Sequence, residues 1–175
     1  MNLPHMITPA TGAIAAITGD QTYGLDVDPT RKPPGVAVTL FTSAARVDAG
    51  SPFTGTAVDV GDSVEEGIFI LKYTAAATEA GDTCDVYIDG SLDNVTYFNL
   101  AHFQQQVGNV AVAIQVAILG PGAGGAVDTF AITADLAVTK TRACFIPRYL
   151  RGRAVLVETT GDNCSFTFSL TGVVK

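Results

Sequence analysis

The chain has 175 residues, of which 47% are hydrophobic and only 15% charged, with 10 Lys+Arg against 17 Asp+Glu for a net charge of −7. No run of basic residues offers a stripe that could track a phosphate backbone, so direct nucleic-acid binding is not expected. No stretch approaches the ~20 apolar residues of a membrane-spanning helix, and the start, MNLPHMITPATGAIAAITGD, lacks the basic and continuously apolar regions of a signal peptide.

In chain order, the first segment stands apart. Pro4, Pro9, Pro29, Pro33 and Pro34, together with Gly12, Gly19 and Gly24, forbid a regular central strand over residues 1–35. This reads as an extended arm, either draped over the domain or a neighbour, or loosely ordered. Residues 36–175 then alternate by twos, the signature of half-buried strands. The expected strands are Gly35–Val47, Thr54–Val60, Glu66–Tyr73, Thr83–Asp89, Tyr97–Gln104, Val110–Ile118, Asp128–Thr139, Ala143–Arg148, Arg153–Thr159 and Asn163–Val173. In the last, Cys164, Phe166, Phe168 and Leu170 face inward against Ser165, Thr167, Ser169 and Thr171. By the same reasoning Val110, Val112, Ile114, Val116 and Ile118 are placed inside, as are Phe130, Ile132, Ala134, Leu136 and Val138. Gly- and Asp-rich clusters separate the strands, including 120–125, read as a loop tip. About ten short strands and no amphipathic helix define an all-β fold, an antiparallel sandwich or jelly roll.

Residues that could carry chemistry are few. The histidines are His5, in the arm, and His102, in a strand on the face of Phe98 and Leu100; the latter reads as a structural histidine. No Gly-x-Ser-x-Gly, His-Glu-x-x-His or phosphate-loop pattern occurs, so no catalytic residues are assigned and no enzymatic activity is expected. Asp82, Asp85, Asp89 and Asp93 do not follow the EF-hand spacing, and with Asp59, Asp62, Glu65 and Glu66 they read as solvated carboxylates; no metal or cofactor is assigned. Cys84, Cys144 and Cys164 form no CxxC pair; Cys84 and Cys164 fall in alternating patterns and read as small buried hydrophobes. Arg148, Arg151 and Arg153, beside Tyr149, make a basic spot on an acidic chain. Two readings stand there: a partner-binding turn, because Arg is enriched at interface hot spots, or a turn with internal salt bridges.

The stretch Ala80-Gly81-Asp82-Thr83-Cys84-Asp85-Val86-Tyr87-Ile88-Asp89-Gly90-Ser91-Leu92-Asp93-Asn94, followed by Tyr97-Phe98-Asn99-Leu100-Ala101-His102-Phe103, resembles a pattern of small β-sandwich virion proteins of tailed bacteriophages, of the head decoration or cement type. Leu150-Arg151-Gly152-Arg153, through Thr160-Gly161 to Ser165–Ser169, is similar to that group's final hairpin. The chain departs from the pattern where Tyr97-Phe98 stands for the usual Trp and Asp93-Asn94 for Asp-Gly. The resemblance carries no catalytic residues. It implies a structural protein on the outer capsid surface, made in the host cytoplasm, whose partners are the major capsid protein and copies of itself, with a trimer favoured. Contacts are expected from the arm (Pro4 to Pro34) and from Arg148, Tyr149, Arg151 and Arg153. Neck, tail or fibre-attachment components are the alternative within the virion, and a carbohydrate- or receptor-binding module the alternative outside it.

Overall fold

A computed structural model describes residues 35–62, 64–121, 135–142, 144–159, 161 and 164–175. The arm, with Pro4, Pro9, Pro29, Pro33 and Pro34, lies outside the described residues, as does most of the strand expected over Asp128–Thr139. The described chain is all-β. Its strands are β1 (Val36–Val47), β2 (Phe53–Thr54), β3 (Val58–Asp59), β4 (Gly67–Ala75), β5 (Thr83–Ser91), β6 (Phe98–His102), β7 (Gln106–Val107), β8 (Ile114–Leu119), β9 (Lys140–Thr141), β10 (Tyr149–Val157) and β11 (Ser165–Val174). A four-stranded sheet runs β1-β11-β4-β8, and a seven-stranded sheet runs β2-β10-β5-β6-β9 with β3 on β10 and β7 on β5. All named strand pairs are antiparallel.

One apolar core lies between the sheets. The alternation of β11 buries Cys164, Phe166, Phe168 and Leu170, as expected. From the facing sheet come Val86, Ile88, Leu150 and Ala154. Phe168 is the hub: Phe41 meets it edge-on at 5.5 Å, and Tyr73 is tilted against it at 5.4 Å. Rings at such angles gain ~1 kcal/mol beyond area burial. The Arg46 guanidinium lies over both Phe41 and Phe168, 4.5 and 4.3 Å from the ring centroids. Burial pushes the Cys84 thiol up to about 12, consistent with a packing role.

Four strand expectations and one turn are corrected. Thr54–Val60 is two short strands, broken where the Gly55 N–H bonds the Gly152 carbonyl. Residues 144–148 form no strand, and neither do 135–139. Arg148–Arg153 is not a turn: Tyr149 through Arg153 open β10. The largest change concerns Val110–Ile118. Only Ile114 onward is strand, and its faces are reversed, with Ala117 and Leu119 inside and Ile114, Val116 and Ile118 at the surface.

Candidate interaction surfaces

The two sheets present opposite chemistries to solvent. On the seven-stranded sheet, β5 points Asp85, Tyr87 and Asp89 outward while Cys84, Val86 and Ile88 enter the core. β10 runs beside it, with Arg151 level with Asp89 and Arg153 level with Tyr87. Asp89 is therefore a shared counter-ion: its Oδ2 lies 3.2 Å from Arg153 Nε and 3.6 Å from Arg151 Nε. Arg153 also reaches Asp135 at 2.6 Å and covers the Tyr87 ring at 4.0 Å. Arg151 lies 3.6 Å over Tyr97. Arg148 takes Asp59 in a two-pronged contact, with Nε 3.1 Å from each carboxylate oxygen and Nη2 2.9 Å from Oδ2. That hydrogen bonding holds the Asp59 carboxyl below its ordinary value and raises the guanidinium. All three arginines of the basic spot are thus engaged by carboxylates of their own chain.

A bulge in β6 sets the rest of this face. Ile88 pairs with Ala101 but Asp89 pairs with Asn99, so Leu100 is the extra residue. The period-two reading that aligned His102 with Phe98 and Leu100 therefore fails. Leu100 is core, whereas His102 turns outward to stack on Tyr87, 4.1 Å between centroids. Both ring nitrogens face acceptors: Nδ1 is 2.7 Å from the Leu136 carbonyl and Nε2 is 2.9 Å from Asp85. Burial alone would raise the Asp85 carboxyl, but hydrogen bonds from His102 and Gln105 hold it below its ordinary value. Asn99 donates to Asp89 and accepts from the Leu136 N–H. Residues 135–142 are thereby strapped across the sheet, and β9 completes the strap by pairing with β6.

The acidic residues are not uniformly solvated. Asp82 and Asp89 are buried, Asp82 accepting the backbone N–H and hydroxyl of Thr159. Asp93 accepts from the Ser91 hydroxyl at 2.8 Å and from the Val95 and Thr96 amides at 2.9 and 2.7 Å. It thereby closes the β5–β6 hairpin. Asn94 takes φ 59°, a conformation for which Gly is the usual choice and Asn the next. The stretch IDGSLDNVTYFNLAHF is a hairpin, with Tyr97 hydrogen-bonded to Asn94 and Phe98 packed on the core. Among the described residues no group of three His, Cys, Asp or Glu is placed to hold a metal ion.

The outer face of the four-stranded sheet is the contrast. Strand register aligns Ala37, Val173, Ile68 and Ile118 in one row across β1, β11, β4 and β8, and Thr39, Thr171, Ile70 and Val116 in the next. Ile114 is 66% exposed, Val116 60%, Ile118 58% and Ile68 54%. Ile70 and Val173 are exposed as well. Sequence reasoning missed this surface because it assigned these β8 residues to the core. The signal available was that β8 and β4 carry apolar residues on both faces. No protein-family model matches this sequence, and no curated protein matches it.

Proposed function

We propose that this chain is a structural protein of a tailed-bacteriophage virion, a decoration or cement protein that stabilises the head shell by protein–protein contacts. The observation that carries the reading is the apolar outer face of the four-stranded sheet, set on a rigid sandwich. Contiguous exposed apolar surface on a well-packed domain marks association. The resemblance of residues 80–103 to virion proteins supports the same reading, and that stretch is built as a scaffold hairpin. Its mechanism is associative: modest contacts, repeated over a symmetric shell, sum to a large resistance to rupture. The partners are the major capsid protein and further copies of this chain.

Quantifying the protein against the major shell protein in purified particles tests this. Hundreds of copies, near a simple ratio to the shell subunit, are the expected result. A dozen or fewer would move the protein to the neck, tail or fibre attachment, and absence from the particle would overturn the virion reading.

A further inference from the structure

The outward row along β4 and the residue before it reads Glu66, Ile68, Ile70, Lys72: an acid at one end, a base at the other, two isoleucines between. On either side lie Val173 and Thr171 of β11, and Ile118 and Val116 of β8, in register with Ile68 and Ile70 respectively. We propose that this face binds a second copy of the same chain, sheet against sheet, across a two-fold axis at the level of Phe69. The inference deepens the association reading above and rests on it.

The register itself argues for a second copy. Rotation about an in-plane axis perpendicular to β4 at Phe69 reverses strand direction and keeps lateral order. Each Ile68 then meets the other copy's Ile70, each Ile118 the other's Val116, and each Lys72 the other's Glu66. The strands run antiparallel within the roughly 30° offset that twisted sheets impose on face-to-face packing. Glu66 already lies 3.2 Å from Lys175 of its own chain; in the pair it also faces Lys72 of the other copy. Lys72, by contrast, forms no ion pair with another described residue, and in the pair it faces Glu66 of the other copy.

Area agrees. Ile68, Ile70, Ile114, Val116, Ile118 and Val173 are all exposed on this face and together form a contiguous apolar patch on the order of several hundred Å², the size that marks an association site. With the polar rim this approaches the ~800 Å² per partner of a standard interface. The face matches itself, so it closes as a pair, whereas a three-fold ring needs two different patches.

The test is sedimentation of the full chain from ~1 to ~200 µM, a range over which pairing of micromolar strength shifts from monomer to dimer. Twice the chain mass at high concentration is expected. Ile70→Glu should leave a monomer with an unchanged circular dichroism spectrum and weaken association at least ~100-fold, since it buries an unpaired charge. Val116→Lys, on the edge strand, gives a second readout should Ile70→Glu fold poorly. Lys72→Glu and Glu66→Lys should each weaken pairing about tenfold, and the double variant should regain it. A monomer throughout, a trimer, or a dimer indifferent to these changes would overturn the proposal. A protein that pairs as described yet is absent from particles would remove the virion reading and leave this one standing.

Discussion

Asp93 holds three donors on one carboxylate oxygen, and hydrogen bonds from Thr96, Val95 and Ser91 keep its carboxyl well below the ordinary range. A depressed folded-state value means that its stabilisation is present above the unfolded value, ~3.9, and is lost as the pH falls through the folded one. Asp93→Asn should therefore lower the melting temperature at neutral pH, and the gap to the parent should narrow as the medium is acidified. A gap independent of pH would show that the charge is irrelevant. Gly152 makes a different demand. A Cβ there would stand 2.6 Å from the Phe41 ring, which closes over β10 at this position. Gly152→Ala should cost about 1–3 kcal/mol in a denaturant titration, because Phe41 would have to shift out of its contacts with Phe168 and Arg46.

The strap over residues 135–142 depends on β6 more than on its own two-residue strand. His102→Phe keeps a ring on Tyr87 but removes the bonds to Leu136 and Asp85. Exchange of the Leu136 amide should then accelerate roughly 10- to 100-fold, with core amides unaffected; equal protection in the variant would show that the strap holds without His102. The elements also show how far sequence reading reaches. β11 was legible down to the residue, because one of its faces is aromatic and the other hydroxylated. β8 was legible as a strand and wrong in orientation. Alternation reveals which side chains share a face, not which face lies inside, and Ala117 and Leu119 are apolar residues that could fill an inner side. The bulge at Leu100 left no mark in composition, so His102 was set on the wrong side. The Arg148–Arg153 spot was visible, but its carboxylate partners on β3 and β5 depend on strand order, which no local pattern encodes.

At the scale of the molecule, the sandwich closes its polar chemistry on one side and leaves apolar surface on the other. The seven-stranded sheet has its charges paired with one another, Arg153 and His102 against the strap; the four-stranded sheet offers β-branched side chains edged by Glu66 and Lys72. Association through the latter is mainly hydrophobic, so it should weaken on cooling toward ~4 °C and strengthen in sulfate. Sedimentation at two temperatures checks this, and tighter pairing in the cold would point to an interface governed by its charges.

One consequence of strand order concerns the timing of folding. β11, the last strand, sits between β1 and β4 and is the only strand that either shares with the other. Until residues 165–174 have emerged from the ribosome, β1 has no partner among the described strands of its sheet and the aromatic hub has no Phe166 or Phe168. The sandwich must therefore wait for β11, with apolar edges open in the interval, and its slowest step should be the docking of a segment more than a hundred residues from the strand it joins.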